Sequence, residues 1–291
     1  MEDTSRWEIA RVRARGGVAM AGFRVHPGSD VELRALPHPA VTLAVEFGER
    51  AFAVRAESGE VRAENGEVRA ENGEVRAASG EVRAGGLAAG LGFGVFRARA
   101  AGTAAVQARL SPLLARSVLG LPLAELGRGV VPLDAVWGAG AERLRERLAE
   151  AAGWPERFAL VEAELARRAL AEGGVDPEVA HVWRLIVRGG GRVRVEELAG
   201  LTGWSRQRLW ARFGEQLGIT PKRAAMLVRF DHAVHALLRG DGPARVAVEH
   251  GYADQSHLHR DVRLFAGTTP GLAIREPWLA VDDRAWPTGG T

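Results

Sequence analysis

The chain has 291 residues and a formal net charge of +3, and it is long enough for two ordinary domains that each bury a core. It contains no cysteine, which excludes disulfides and thiolate metal sites. No apolar run is long enough to cross a bilayer and the N-terminus lacks the pattern of a secretory signal, so the composition predicts a soluble, cytoplasmic protein.

The first part of the chain, residues 1–111, consists of short apolar segments with Gly or Pro between them. Segments of this length, bounded by turn residues, are typical of β-strands. We therefore predict a small β-barrel or β-sandwich in this part. The predicted strands are 18–25, 40–47, 52–54, 94–99 and 104–110.

Motifs that would indicate catalysis are missing from this part. It has no Gly-x-Ser-x-Gly elbow and no His-Glu-x-x-His pair, and His26 and His38 are too far apart for a His-x-His metal motif. Gly90, Gly92 and Gly94 precede a strand-like run instead of opening a helix, which argues against a nucleotide-binding loop. The sequence therefore predicts no catalytic residue, no cofactor and no metal site, and the chain is not expected to be an enzyme.

Four copies of a seven-residue unit follow one another from Arg55 to Val82, within a predicted loop of residues 55–84. A coiled coil is excluded because each unit contains Gly, which costs about 1 kcal/mol in a helix, and because its Val and Ala lie two residues apart. The Asn-Gly and Ser-Gly pairs are good two-residue turns, so a small meander of short strands is one interpretation. We favour a tandem expansion within a β-hairpin loop, without chemistry of its own, since the units bury little apolar surface.

Residues 112–173 have a different pattern, with apolar residues at helical spacing. In the last predicted helix Phe158, Val161 and Leu165 form an apolar stripe. This segment is therefore expected to be helical. The predicted helices are 113–119, 141–151 and 156–171.

The last third of the chain contains one pattern twice, each time a helix, a tight turn and a second helix. In the first copy Val195, Leu198 and Ala199 have helical spacing, Gly203 permits the turn, and Ser205 is a good N-cap. Five positions of the second helix and its end recur in kind and spacing. Leu209, Phe213, Gly218, Thr220 and Pro221 correspond to Leu258, Val262, Gly267, Thr269 and Pro270.

The two copies differ by one residue in the turn. Gly203 corresponds to Gly251, whereas Ser205 corresponds to Asp254 at an offset one residue larger. The second turn is therefore predicted to be one residue longer, with both N-caps kept. Between the copies, residues 222–238 have a helical apolar period and form a predicted connecting helix.

Residues 176–276 resemble the DNA-binding domain of the AraC family of transcriptional regulators, which joins two helix-turn-helix units through a connecting helix. The resemblance rests on both turns, both N-caps and the Gly-x-Thr-Pro sequence that ends each unit. It implies that the second helix of each unit, the recognition helix, enters one of two successive major grooves of double-stranded DNA. The alternative is an all-helical bundle whose duplication has no role in DNA binding.

The resemblance also bears on the remainder of the chain. Family members usually carry a cupin-like β-barrel that binds an effector, dimerises or does both, so residues 1–111 are expected to be a sensor or dimerisation domain. The predicted fold class is α+β. Residues 112–173 would link the two domains and take part in dimerisation, or would simply pack on the barrel, and residues 277–291 would form a tail. Expected partners are DNA and, as the resemblance allows, a small-molecule effector, a second copy of the chain and RNA polymerase, but no membrane.

The distribution of charge agrees with this division of the chain. Residues 182–276 carry a net charge of +6, whereas residues 1–181 carry −2. A surplus of Arg in the segment with the helix-turn-helix units is typical of a module that binds phosphates.

Helical geometry identifies the side chains that each recognition helix would present to DNA. Leu209, Phe213 and Leu217 define the buried side of the first helix, so at about 100° per residue the opposite side is exposed. Gln can pair with adenine, and Arg with guanine or phosphate. For the first helix the predicted DNA-binding residues are Arg206, Gln207, Arg208, Trp210, Ala211 and Arg212. For the second they are Gln255, Ser256, His257, His259, Arg260 and Arg263.

The role of Trp210 and a possible metal site are two further questions in this region. Trp210 could pack on the connecting helix instead of contacting DNA. A metal site is not expected, because no carboxylate or further His completes a ligand set at helical spacing with His257 or His259.

The sequence as a whole predicts a sequence-specific DNA-binding transcription regulator that responds to an effector through its N-terminal domain. Two alternatives from other classes remain. The first is a co-regulatory or architectural protein whose helix-turn-helix pair binds protein, and the second is an enzyme with an auxiliary DNA-binding tail.

Overall fold

The computed structural model describes residues 7–48, 53–56, 82–83, 85–91, 94–127, 129–170, 174–194 and 197–276. Within these residues, strands predominate before residue 111 and helices after it. The strands are β1 (Trp7–Arg15), β2 (Val18–Val25), β3 (Asp30–Ala35), β4 (Val41–Glu46), β5 (Ala53–Ala56), β6 (Val82–Arg83), β7 (Gly86–Ala89), β8 (Phe96–Ala101), β9 (Ala104–Leu110) and β10 (Val130–Pro132).

The helices lie mainly in the second half of the chain. One short 3-10 segment, Leu123–Leu126, follows the first helix, and we call it the bridging turn. The helices are α1 (Pro112–Leu119), α2 (Leu133–Trp137), α3 (Ala139–Glu150), α4 (Trp154–Ala169), α5 (Pro177–Arg188), α6 (Arg206–Leu217), α7 (Pro221–Leu238), α8 (Pro243–Glu249), α9 (Gln255–Ala266) and α10 (Pro270–Ala273).

The strands form two sheets. The larger sheet has the order β1-β2-β9-β4-β7-β10 and the smaller has the order β3-β8-β5-β6. All pairings between described strands are antiparallel. The predicted α+β class is confirmed, with a β-sheet region first and a helical region after it.

The six-stranded sheet is covered on both faces. Because side chains alternate along a strand, Leu43 and Val45 of β4 join the core that includes residues of α1, α3 and α4. Their neighbours Thr42 and Ala44 line the space between the two sheets. The clusters of buried apolar side chains between the sheets are small. One consists of Val54, Ala89, Phe96 and Val130, and another of Val25, Val31 and Ala100.

The heptapeptide repeat is flanked by paired strands. Ala53 of β5 pairs with Arg83 of β6, and Val54 pairs with Val82, so the two ends of the repeat form the arms of a hairpin. The first two residues of the predicted loop 55–84 therefore belong to β5, and Val82 and Arg83 form β6. The predicted conformation of residues 57–81 lies outside the described residues.

Besides helices, the segment 112–173 contains a strand, which lies between the predicted helices 113–119 and 141–151. Its residues Val130–Pro132 form β10, which pairs with β7 at the edge of the six-stranded sheet. Val130 and Val131 are β-branched and buried, which suits a strand better than a helix. This segment thus contributes directly to the N-terminal sheet instead of only packing on it or linking it to the next helices. Within the described residues, the structure contains no helix with the length and apolarity needed to span a membrane.

Candidate nucleic-acid interface

The first helix-turn-helix unit is built on α6. Leu209, Phe213 and Leu217 are fully buried, as their spacing predicts. The Ser205 hydroxyl accepts a hydrogen bond from the backbone N–H of Arg208 at 3.2 Å, which caps the helix. At the other end Gly218 has φ +76°, a left-handed conformation that ends the helix at low cost for Gly.

The segment ahead of α6 differs from the prediction. Residues 197–203 form consecutive turns instead of an α-helix, with hydrogen bonds from Gly200 to Glu197 and from Thr202 to Ala199. Gly and Thr are weak helix formers, and so short a segment gains little from cooperativity. Leu198 is nevertheless buried as the helical pattern predicted, so the segment still packs beneath α6.

The second unit consists of α8, a turn and α9. Gly251 in the turn has φ +74°, and the Asp254 carboxylate accepts a hydrogen bond from the His257 N–H at 2.7 Å. Leu258 and Val262 are fully buried, and Gly267 ends the helix with φ +64°. Both N-caps and both Gly C-caps of the duplicated pattern are therefore present in the structure.

Removal of the Asp254 cap should lower the free energy of unfolding. We expect Asp254→Ala to cost about 1 kcal/mol, because the first N–H groups of α9 lose a charged acceptor. Urea unfolding followed by circular dichroism would measure the change. Ser111→Ala is the matched control, since Ser111 is the N-cap of α1 but makes no side-chain cap hydrogen bond. Equal losses for the two variants would contradict the assignment.

The connecting helix α7 holds the second recognition helix through a buried ion pair. Nη2 of Arg229 on α7 lies 2.9 Å from the Asp261 carboxylate on α9, and the two side chains are only 14% and 5% exposed. The Arg229 guanidinium also lies 4.6 Å from the centre of the Tyr252 ring. Burial raises the pKa of the Tyr252 hydroxyl well above its usual value. The orientation of α9 is therefore fixed from its buried side.

The outer face of α6 carries most of the predicted DNA-binding residues. Arg206, Gln207, Arg208 and Ala211 are exposed, and Trp210 is half-buried against the core, with the Arg206 guanidinium 5.1 Å from its ring centre. Trp210 therefore packs on the core, as the alternative to DNA contact predicts, but it is also partly exposed.

Arg208 is supported by a side chain that sequence reasoning missed. Its guanidinium lies 4.4 Å from the ring centre of Trp204, which precedes the N-cap of α6. A cation over the face of an indole ring is attracted by the ring quadrupole. Trp204 thus orients Arg208, and the signal that could have revealed it is an aromatic residue directly before the cap of an Arg-rich helix.

Arg212 is placed differently from the other predicted residues of α6. Its Nε and Nη2 atoms donate to the two oxygens of Asp176 at 2.9 and 3.1 Å, and Nη1 donates to Glu215 at 2.8 Å. The hydrogen bonds from Arg212 hold the pKa of the Asp176 carboxyl below its usual value. Arg212 is therefore engaged by the N-cap of α5, 36 residues earlier in the chain, a partner that helical spacing does not reveal.

The outer face of α9 presents the second predicted set. Gln255, Ser256, Arg260 and Arg263 are exposed, whereas His257 and His259 are half-buried. His257 lies edge-on to Tyr252, with ring centres 5.2 Å apart, and its Nδ1 accepts a hydrogen bond from the backbone N–H of Ala253 at 3.4 Å. The other contacts on this face are also local. The Gln255 Nε2 and His259 Nε2 atoms lie 3.4 Å apart, and Nε of Arg260 donates to the Ser256 carbonyl at 3.4 Å.

The histidines of this region do not converge on one point. The rings of His232 and His250 are 6.3 Å apart, and burial lowers the pKa of His250. In the part of the chain that the structure describes, no three His, Asp or Glu side chains are arranged to hold a metal ion. The chemistry available on the two outer faces is therefore that of hydrogen bonding, apolar contact and positive charge.

One known domain family matches the C-terminal part of this chain. Residues 198–275 match a family described as a helix-turn-helix domain. A stretch of 66 residues is 38% identical to the uncharacterized HTH-type transcriptional regulator YbfI of Bacillus subtilis (strain 168). This stretch is 23% of the present chain and 24% of that protein, so the chain spans about a quarter of the length of this curated relative.

Two regulators of known structure are among the proteins that match this chain. ToxT from Vibrio cholerae O395 matches 89% of this chain and 97% of its own, with a TM-score of 0.46 and 9% identity. The C-terminal domain of AraT, a response regulator from Geobacillus stearothermophilus, matches 35% of this chain and 86% of its own, with a TM-score of 0.33 and 20% identity. The helix-turn-helix match, together with the two capped units joined by α7, confirms an AraC-type helix-turn-helix domain in the C-terminal part of the chain.

Proposed function

We propose that the protein is a sequence-specific DNA-binding regulator that places α6 and α9 in adjacent major grooves. The observation that carries this proposal is the pair of capped helices with exposed polar outer faces, both packed on α7. Recognition helices read bases when their buried sides are fixed and their outer side chains are free to reach base edges. The proposed DNA-binding residues are those named above, with Arg212 dividing its hydrogen bonds between Asp176, Glu215 and the phosphate backbone.

The charges support the same proposal. The surplus of positive charge lies in residues 182–276, and Arg206, Arg208, Arg260 and Arg263 are all exposed on the two recognition helices. Neutralising phosphates releases counterions, so the affinity should fall steeply as the salt concentration rises. A helix-turn-helix pair that docks on protein would show neither this steep dependence nor preference for one DNA sequence over random competitor.

Replacing Arg260 should weaken specific DNA binding. An Arg that contacts a guanine contributes about 1–3 kcal/mol of discrimination, so we expect Arg260→Ala to raise the Kd for the preferred site about 5- to 150-fold. The preferred site would first be selected from a random duplex pool, and Kd would then be measured by gel-shift titration at physiological salt. Arg99→Ala is the control, because Arg99 is an equally exposed Arg on β8, away from both helices. An unchanged Kd for Arg260→Ala would show that Arg260 is not one of the DNA-binding residues.

We also infer that the N-terminal part responds to a small-molecule effector bound between the two sheets. A cavity of about 120 Å³ lies there. Its walls are mainly apolar, with a polar corner where the His38 Nε2 and Thr42 Oγ1 atoms are 2.9 Å apart. Mainly apolar pockets with a few polar groups are typical of small-molecule sites. The wall residues include Ala35, Ala44, Ala89, Ala98, Ala105, Phe23, Phe96, Leu87 and Val130.

A second copy of the chain and RNA polymerase remain predicted partners of the whole regulator, and the cytoplasm remains its predicted location. Analytical ultracentrifugation with and without the selected duplex would measure the number of protomers per site. One protomer covering both grooves agrees with a single bipartite reader, and two protomers indicate the predicted homodimer.

A further inference from the structure

Residues that precede the DNA-binding domain lie against the C-terminal end of each recognition helix. A Cβ atom at Gly218, the C-cap of α6, would lie 2.8 Å from the carbonyl oxygen of Leu123 in the bridging turn. A Cβ atom at Gly267, the C-cap of α9, would lie 3.2 Å from the Arg34 guanidinium on β3. Arg34 also donates to the Glu276 carboxylate at 3.2 Å. The two contacted glycines are counterparts in the duplicated pattern.

Both contacts are made by side chains or segments that are themselves largely buried. Leu123 and Leu126 of the bridging turn are each only 1% exposed, and the ion pair between Arg34 and Glu276 is largely buried. Closely packed contacts transmit a displacement, since the interior has no free volume to absorb it. Each recognition helix is therefore tied at one end to the N-terminal part as well as to α7.

The two contacting segments are connected to different sheets. The bridging turn leads into β10 at the edge of the six-stranded sheet, and a Cβ atom at Gly90, just after β7, would lie 3.2 Å from Leu126. Arg34 belongs to β3, at the edge of the four-stranded sheet. The relative position of the two helix ends thus depends on the relative position of the two sheets.

The cavity lies between the parts of the sheets that make these contacts. Ala35 and Leu36, which follow Arg34 directly, line one side of it. Val130, four residues after the end of the bridging turn, lines it as well. A change in the separation of the sheets at the cavity would therefore move Arg34 relative to the bridging turn.

We propose that the two sheets act as a brace that sets the separation of α6 and α9, and that occupation of the cavity changes this separation. This inference rests on the proposed DNA-binding function. It predicts that the N-terminal part controls which spacing between two groove sites the protein accepts. A cavity ligand can change the separation of α6 and α9 only if it binds the protein with different affinity at the two separations.

The test is the binding of duplexes that differ only in spacing. Adding or removing one base pair between the two sequences read by α6 and α9 moves them by about 3.4 Å and turns them by about 34°. We expect the wild-type protein to prefer one spacing by roughly tenfold, a typical scale for coupling between two sites. Arg34→Ala should reduce the preference to below about threefold, because α9 loses its contact with β3. Glu276→Gln should act in the same direction.

Two controls separate the brace from general effects of charge or folding. Arg99→Ala removes a charge from β8, beside β3 in the same sheet, but from an exposed ion pair, so the wild-type preference should remain. Thermal unfolding of each variant would verify that the fold is intact. If Arg34→Ala loses its structure, Glu276→Gln alone decides the question.

The role of the cavity is tested without a ligand. Ala98→Leu on β8 fills part of the cavity, and we expect it to shift the preferred spacing. In the Arg34→Ala background the same substitution should have no further effect, because the path from the sheet to α9 is already broken. An additive shift in the double variant would overturn the proposed path.

The outcomes also distinguish this inference from the proposed function. If the wild-type protein binds the selected duplex but has the same spacing preference as Arg34→Ala and Glu276→Gln, this result contradicts the proposed brace but not the proposed DNA binding. Wild-type protein that prefers no DNA sequence over random competitor overturns both.

Discussion

Asp261→Ala should lower the free energy of unfolding by about 3–5 kcal/mol, because it leaves the buried Arg229 guanidinium without its partner. The carboxylate that would be lost lies 2.9 Å from Nη2 of Arg229 and is itself 5% exposed. An uncompensated charge at such a site cannot be solvated by water, so the cost falls mainly on the folded state. Urea unfolding near neutral pH would measure the loss.

Two further variants make this prediction specific. Asp30→Ala breaks an ion pair of similar length with Arg99, but those side chains are 61% and 63% exposed, so the loss should stay below about 1 kcal/mol. Replacing both buried partners, with Arg229→Met and Asp261→Leu together, should recover much of the stability because no charge remains buried. If Asp261→Ala costs no more than Asp30→Ala, the buried pair does not hold α9 in place.

The second large effect is expected at Gly191, in the turn between α5 and the first helix-turn-helix unit. Gly191 has φ +71°, and a Cβ atom there would overlap the Ala225 carbonyl oxygen and lie 2.8 Å from the Arg229 N atom of α7. Both atoms belong to the backbone of a helix and cannot move independently. Gly191→Ala should therefore destabilise the protein by about 3 kcal/mol, from the left-handed conformation and the overlap together.

Gly203→Ala is the control for the conformational part of this loss. Gly203 has φ +69°, but no atom lies within 4 Å of its potential Cβ position. Its replacement should cost only about 1–2 kcal/mol. Thermal or urea unfolding of both variants gives the difference, which measures how closely the turn approaches α7. A difference near zero would show that the turn can move away from α7.

The candidate site could be predicted from sequence where the determinants are local. The caps at Ser205 and Asp254 each bond to an N–H three residues later, and Gly218 and Gly267 end their helices in the left-handed region. Such contacts depend on neighbouring residues, so spacing alone reveals them. The strands β2 and β9 were likewise predicted at their observed ends, because each is a continuous run bounded by turn residues.

Other elements were missed because their sequences are ambiguous in isolation. β1 and β3 are rich in charged residues, and β7 is the small segment Gly86–Ala89. They are strands because a partner strand supplies the hydrogen bonds, as β8 does for β3. The strand β10 is absent from the predicted strands for the same reason, since pairing with β7 decides its conformation.

The helix-turn-helix pair, its caps and the outward faces of α6 and α9 follow from periodicity and short-range hydrogen bonds, so they could be predicted from the amino-acid sequence. The structure was needed to show that Arg212 meets Asp176 and that Arg229 meets Asp261. It was also needed to show that Gly218 lies against the bridging turn and Gly267 against Arg34 of β3. These contacts join residues far apart in the chain, and the packing of whole elements brings them together. Interactions between neighbouring residues decide whether a segment forms a helix or a turn, whereas the burial of apolar faces decides which elements pack together.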